Sequence, residues 1–423
     1  MQRILYSLLI ISLLCSCSAT NIKKIKKETQ QTLVAPLFDN QFLGVFIYDP
    51  SSKDTIVQYN SKKYFTPASN TKIATLYTAL KILPKKIPAL KYYTTVDTVY
   101  IEGTGDPSFL HSYFKDSTVL KFLQPYHHIK LHLNNFDAAA YGPGWAWEDY
   151  DAYFQPERSP FPIYGNVVSV FKKDSLTVIP PFFKKDVKEL LAPKAREHYQ
   201  NTFYYNPDKK DTLETPFMVD STLVRTLLEK AINKKINLVN TFPKVEKQIL
   251  FSVSTDSVLK RMMAVSDNFL AEQLLVLVST TLSDTLSSRK AQDYILKNNL
   301  SDLKQQPRWV DGSGLSRYNL FTPESLVHVL LKMYHEEPQE RLFNLFPVGG
   351  VSGTLKGSYA GTNRPYMYAK SGSLGNIYCL SGYLLTKSGK TLIFSFMNNH
   401  YKQPSAEIKK QMQLVFEKLR DNY

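Results

Sequence analysis

Three observations predict a mixed α/β (α+β) fold. Strand patterns gather at both ends of the chain, at 42–59 and 366–397. Helical periodicity follows Pro67 and returns from about 256 to 333. Between them, over about 85–248, short alternating runs broken by Pro, Gly and aromatic clusters read as a mostly β insertion.

The elements follow in order. Phe42–Tyr48 is rich in β-formers, Asp49-Pro50-Ser51-Ser52 is turn chemistry, and Ile56–Tyr59 returns as the second strand of a hairpin. After Pro67, Ile73, Leu76, Tyr77, Leu80 and Leu83 mark one helix face, which Pro84 ends. Within the insertion, TVDTVYIEG, HIKLHLNN and NVVSVFKKDSLTVIP alternate as strands do, and a helix over 221–234, capped by Asp220, closes it. Asp256 is the expected cap of a helix with Val258, Leu259, Met262 and Met263 inward. Ser266-Asp267-Asn268 breaks it before a second helix through Leu270, Leu274, Leu275 and Val278. Thr322-Pro323, a cap followed by Pro at the first helical position, opens another. The end reads strand, strand, strand and a charged amphipathic helix from about Ser405.

With 423 residues, 43% of them hydrophobic and 21% charged, the chain can bury a sizeable core in two or more structural units. Its first residues read as an export signal. Arg3 is the positive n-region, Ile4–Leu14 is an apolar run too short to span a bilayer, and Leu14-Cys15-Ser16-Cys17 follows. That ending resembles a bacterial lipobox and implies a signal over 1–16, lipidation of Cys17 and a tether over 17–36. Leu14 is not the small residue that cleavage before Cys15 would want. Cys379 is then the only thiol left, so no internal disulfide is expected.

The formal net charge of +15 falls to +14 when Arg3 leaves with the signal. An exported protein seldom meets nucleic acid. The excess suits an anionic membrane surface or a polyanionic wall polymer, and Lys23, Lys24, Lys26 and Lys27 cluster behind the anchor.

Ser69-Asn70-Thr71-Lys72 stands at the mouth of the first strong helix. A spacing of three puts both side chains on one face, so the Lys72 amine can reach the Ser69 oxygen. Burial or a second cation would lower the lysine pKa far enough for it to act as a base and make Ser69 an acyl-transfer nucleophile. The tetrad alone says little, since others start at Ser169, Ser257, Ser287 and Ser301. Ser169 falls in a strand-like run, which would turn its Lys172 to the opposite face. The other three lack the sequel that Ser69 has: Ser266-Asp267-Asn268 in a helix break, then Lys370-Ser371-Gly372 at the end of a β run.

That set, in that order, is described for serine β-lactamases and penicillin-binding proteins. The flanks GTGDPSF (103–109), GPGWAWED (142–149), DGSGLSR (311–317) and VGGVSGTLKG (348–357) resemble the class C low-molecular-mass penicillin-binding proteins. These are D-alanyl-D-alanine carboxypeptidases and endopeptidases that trim peptidoglycan.

The resemblance implies an antiparallel sheet with helices on both faces, its catalytic domain at 37–84 and 249–423 and its insertion at 85–248. It further implies that Ser69 attacks a D-Ala-D-Ala or cross-link peptide bond and that Lys72 takes the proton, helped by Ser266 and Asn268. Lys370 and Ser371 would hold the terminal carboxylate within the Lys370-Ser371-Gly372 motif. The oxyanion would lie between the N–H groups of Ser69 and Ser373. Lys370, with Ser373-Leu374 behind it, is the catalytic copy of Lys-Ser-Gly; Lys387-Ser388-Gly389 reads as a solvated hairpin turn. Arg317 matches an arginine near the substrate in some relatives, or else a surface ion pair. Asp149 matches an acid that recognises the stem-peptide amino group, or else a turn residue after two core tryptophans.

Partners implied are peptidoglycan peptides, β-lactams as covalent inhibitors, and the membrane through the N-terminal lipid, which places the protein in the bacterial cell envelope. No cofactor is implied. A metal is not expected either: His128 and His132 are four apart in a strand, about 13 Å, and no His-Glu-x-x-His occurs. Two other readings share some features. A serine β-lactamase has the three motifs, but lacks a large insertion where 197 positions separate Ser69 from Ser266. A lipid-anchored wall-binding scaffold would have vestigial machinery, yet every catalytic side chain is present.

Overall fold

The computed structural model describes residues 26–33, 36–208 and 211–423. The expected signal, Cys15, Cys17, Lys23 and Lys24 lie outside the described residues. The chain forms two compact units. Of the described residues, one unit holds those up to Ile73 with Leu303–Arg308 and Asn319–Tyr423; the other holds those of Ala74–Asp302 and Trp309–Tyr318.

The first unit is built on five antiparallel strands, in the order Met367–Leu374, Ile377–Leu385, Thr391–Asn399, Phe42–Asp49 and Asp54–Tyr59. Strand alternation assigns the faces. Leu43, Val45 and Ile47 pack with Ile408, Met412 and Phe416 of the C-terminal helix Ser405–Asn422. Gly44 looks the other way, where a Cβ would stand 2.4 Å from the Phe65 ring and 3.0 Å from Pro323. Pro323 opens the helix Pro323–Glu336, with Thr322 as its cap as expected. Helices therefore cover both faces of the sheet, each against an apolar stripe of alternate residues.

The segment expected to be a tether ending near Pro36 is helical at 26–33. Thr29 and Leu33, four apart, are both 1% exposed, and Leu33 joins the core under the C-terminal helix. Lys26 pairs with Asp54 at 2.6 Å. The described part of this stretch thus packs on the sheet.

The second unit carries a five-stranded mixed sheet, ordered Ile236–Val239, His128–His132, Thr98–Gly103, Lys86–Thr94 and Gln248–Ser254. A three-stranded sheet (Leu213–Pro216, Val167–Lys172, Leu176–Ile179) and a short parallel pair (Val187–Glu189, Phe203–Tyr205) accompany it. The helix Ser221–Ile232 starts where expected, with the Asp220 carboxylate accepting from Leu223 N at 2.7 Å. The helices Thr255–Val265, Asn268–Leu282 and Ser288–Asn298 also fall in this unit. Ser254, not Asp256, is the cap residue of the first of these. Asp256 stands in the first turn instead, where the helix dipole favours a carboxylate. Among the described residues, no helix is long and apolar enough to cross a membrane.

Candidate active site

In the first unit the site begins with a strained turn. Ala68 has φ +48°, a left-handed conformation unfavourable for a residue with a Cβ. It enters the 3₁₀ turn Ala68–Thr71, which Asn70 N to Pro67 O (3.1 Å) and Thr71 Oγ1 to Ala68 O (2.9 Å) hold closed. The helix Lys72–Ile82 continues from it. Ser69 is half-buried and Lys72 fully buried, and Lys72 Nζ donates to Ser69 Oγ at 3.0 Å. The spacing of three has the consequence read from the sequence.

The sheet register delivers the second lysine. Lys370 pairs across the strands with Ser381, and Ser381 with Ser395, so these side chains share one face. Ser381 Oγ accepts from Asn70 Nδ2 at 2.7 Å and donates to Ser395 Oγ at 2.9 Å. Asn70, which sequence reasoning left without a role, therefore ties the Ser69 turn to the strands beneath it. The visible signal was a pair of serines in apolar strands. Lys370 is fully buried and donates to the Ser371 carbonyl at 2.6 Å. Burial, and then the charge of Lys72, depress its pKa well below the usual lysine value. Two amines and a hydroxyl thus meet within one electrostatic neighbourhood.

Gly372 is the closest approach of strand and turn. A Cβ there would stand 2.5 Å from Pro67 O, 2.9 Å from Asn70 N and 3.0 Å from Ser69 N, all backbone atoms. Only glycine lets the strand lie this near the Ser69 turn. Lys370-Ser371-Gly372 sits inside the strand, not at its end, because Ser373 and Leu374 still pair with Tyr378 and Ile377. Ser371 Oγ donates to Thr354 Oγ1 at 2.7 Å, a partner the VGGVSGTLKG stretch did not advertise. Ser373 is exposed. The second Lys-Ser-Gly is a hairpin: Lys387 pairs with Asp421 at 3.1 Å, Ser388 Oγ donates to Tyr423 O, and Gly389 has φ +88°.

The second unit holds the remaining candidates. Ser266 ends one helix in a left-handed conformation, φ +60°. Asp267 caps the next, accepting from Leu270 N at 3.0 Å, and Asn268 Nδ2 donates to Phe154 O at 3.0 Å. One turn on, Glu272 is 1% exposed. It accepts from Ser313 N at 2.7 Å and lies 3.6 Å from Arg158. Burial, then the Asp311 charge, push its pKa up to about 7. Asp311 orders the DGSGLSR loop, accepting from Gly314 N (2.8 Å), Ser316 N (2.6 Å) and Trp145 Nε1 (2.9 Å). Sequence reasoning missed Glu272, hidden in the apolar run FLAEQLLVLV. Arg317 ends that loop exposed.

Asp149 lies in the short helix Trp147–Asp149. Its pKa is raised by partial burial and by Glu148. The two tryptophans before it are not core, as one reading of Asp149 supposed. Trp145 is half-buried and Trp147 is 75% exposed, since the helix turns its ring outward.

The D-Ala-D-Ala carboxypeptidase 3 (S13) family matches residues 25–177 and 217–419. D-alanyl-D-alanine carboxypeptidase DacB of Haemophilus influenzae is 33% identical over 159 residues. Those residues cover 36% of this chain but only 33% of that protein, so the chain aligns with a third of that relative's length. Penicillin-sensitive carboxypeptidase A of Dictyostelium discoideum is 22% identical over 455 residues, 86% of this chain and 83% of that one. The crystal structure of penicillin binding protein 4 (dacB) from H. influenzae matches with a TM-score of 0.71 at 21% identity, over 94% of this chain and 99% of that chain. The same protein complexed with a β-lactam gives 0.67 at 20% identity, with the same coverage of both chains. These likenesses establish a shared fold.

Proposed function

The chain belongs to the D-Ala-D-Ala carboxypeptidase 3 (S13) family, and from that premise we propose that it is a serine D-alanyl-D-alanine carboxypeptidase acting on peptidoglycan stem peptides. The carrying observation is the 3.0 Å contact between Lys72 Nζ and Ser69 Oγ beside a second buried lysine. Endopeptidase cleavage of a cross-link uses the same chemistry and is included in the reading.

Neutral Lys72 takes the Ser69 proton as Oγ attacks the carbonyl of the scissile D-Ala-D-Ala bond. The developing oxyanion takes hydrogen bonds from the N–H groups of Ser69 and Ser373. The proton then passes to the leaving amine, D-alanine departs and the acyl group stays on Ser69. Water hydrolyses the ester by the reverse proton route. Ser266 and Asn268 assist Lys72. Lys370 and Ser371 receive the terminal carboxylate, with Gly372 giving the strand its close approach. The electrostatics favour this division of labour: two amines sharing one buried site do not both hold a charge. A carboxylate arriving at Lys370 favours its protonation, which leaves Lys72 as the neutral base.

Asp149, partly buried and close to other acids, binds the amino group of the stem-peptide side chain, and Arg317 lies along the substrate path. Export, lipidation at Cys17 and attachment to the cell envelope complete the reading. A catalytic domain at 37–84 and 249–423 interrupted at 85–248 is its domain plan. Loss of lipid labelling in Cys17→Ala would support the anchor; retained labelling would refute it.

The enzyme reading is tested by incubating the mature protein with labelled penicillin and following the adduct by mass, beside Ser69→Ala. A long-lived adduct lost in the variant is expected. Rapid drug turnover would make the protein a β-lactamase, and absence of an adduct a wall-binding scaffold.

A further inference from the structure

The second unit has a cavity that the acyl-transfer chemistry leaves unused. Its volume is about 230 Å³, and Lys188, Glu197, His198, Tyr199, Gln200, Thr202 and Tyr204 line it. The strands Val187–Glu189 and Phe203–Tyr205 pair in parallel at its base. Tyr204 OH donates to the Glu197 carboxylate, and the Lys188 ammonium stands 5.8 Å from the Tyr204 ring centre.

A buried cation holds the rim in shape. Arg196 is 1% exposed, and its guanidinium donates to Glu197 O at 2.9 Å and to Tyr150 O at 3.3 Å. The Tyr150 hydroxyl returns a bond to Arg196 O at 2.9 Å, and Ala195 N donates to Asp151 at 2.6 Å. The rim is therefore fastened to the segment that carries Asp149.

On this rim two exposed rings flank a half-buried one. Trp147, 75% exposed, stands edge-on to His198 with centroids 5.9 Å apart. His198 packs on Tyr199 at 4.3 Å, and Tyr199 is 81% exposed. Two exposed rings held on either side of His198 form an apolar patch that suits the flat face of a ligand.

The lining says what kind of molecule. A pyranose offers a C–H face that lies against an aromatic ring and a polar rim that needs donors and acceptors. Here the amide of Gln200, the hydroxyl of Thr202, the Lys188 ammonium and the Glu197 carboxylate surround the rings. The volume is below the roughly 300–1,000 Å³ of drug-sized ligand sites, which is room for a single sugar ring.

We propose that this cavity is a saccharide subsite, taking one N-acetylhexosamine of the glycan strand that bears the stem peptide. The inference rests on the peptidoglycan reading above and adds to it the recognition of the glycan.

The test compares D-alanine release from a free stem pentapeptide and from the same pentapeptide carried on its N-acetylglucosamine–N-acetylmuramic acid disaccharide. The wild type should favour the disaccharide-borne substrate by about five- to tenfold in kcat/KM, through KM, the size expected for one aromatic contact. In Tyr199→Ala that ratio should fall to near one. Independently, the peptide-free disaccharide should change tryptophan fluorescence in the wild type and not in Trp147→Phe. A wild-type ratio of one, or a preference undiminished in Tyr199→Ala, would overturn the subsite. Penicillin labelling of Ser69 in the same preparations separates the two readings: labelled enzyme without sugar preference loses only this inference. If neither substrate is cleaved, the fluorescence titration decides alone, and no saturable change refutes the subsite.

Discussion

Replacing Gly372 with alanine should suppress acylation at the proposed nucleophile, Ser69, without unfolding the protein. The added Cβ would lie 2.5 Å from Pro67 O, where ordinary contact begins at 3.4 Å, so strand and turn must part by about 0.9 Å. Neither side has a flexible side chain to give way; the nearby atoms at 2.9 and 3.0 Å are the Asn70 and Ser69 nitrogens. A misplacement of about 1 Å costs on the order of 10²-fold in rate. Overpacking adds roughly 1–3 kcal/mol of destabilisation. The assay is the second-order rate constant for acylation by a fluorescent penicillin, with thermal unfolding followed on the same samples. Gly389→Ala in the other Lys-Ser-Gly is the matched control. Its Cβ meets nothing within 4 Å, so only the left-handed backbone, φ +88°, adds about 1–2 kcal/mol. Acylation should fall about a hundredfold in Gly372→Ala and stay unchanged in Gly389→Ala. Wild-type acylation by Gly372→Ala would refute the packing of this strand on the Ser69 turn.

Two further outcomes concern protons. The native fold holds Lys370 less protonated than the unfolded chain does, so stability should rise with pH between its depressed native pKa and the ordinary 10.5. Lys370→Met should flatten that rise in denaturant titrations across pH and lose penicillin acylation; an unchanged pH slope would contradict the burial argument. Glu272 works oppositely. Its native pKa of about 7 lies above the usual 4.5, so stability should fall as pH rises through that window. Glu272→Gln keeps an oxygen for Ser313 N–H, and its stability relative to wild type should improve from pH 5 to pH 8. Parallel curves would sink the assignment.

What was legible in the sequence was what short range decides. The Ser69–Lys72 contact follows from the spacing of three, and the break read at Ser266–Asn268 is made in the structure by a left-handed Ser266 and the capping Asp267. Thr322-Pro323 marked its helix start to the residue. Where several local solutions compete, the local sequence does not choose between them. Ser254 and Asp256 are both plausible caps, and the choice depends on where the preceding strand, Gln248–Ser254, stops. Trp145 and Trp147 look alike in sequence, but only Trp145 finds a buried acceptor, Asp311. The helix at 26–33 looked like a basic tether because its lysines are conspicuous and Leu33 is a single apolar anchor. Glu272 and Thr354 were invisible for a different reason: their partners, Ser313 and Ser371, are 41 and 17 residues away.

The polar rungs Asn70, Ser381 and Ser395 carry a last consequence. Strand pairing repeats every two residues, so slippage by one would send Lys370 through to the side occupied by the C-terminal helix. The same slip would leave an amide and two hydroxyls stranded in hydrocarbon. Intermediate alignments are thus forbidden, and the amine is either fully seated or absent. The seating of that amine is an all-or-none property of the hydrogen-bond ladder.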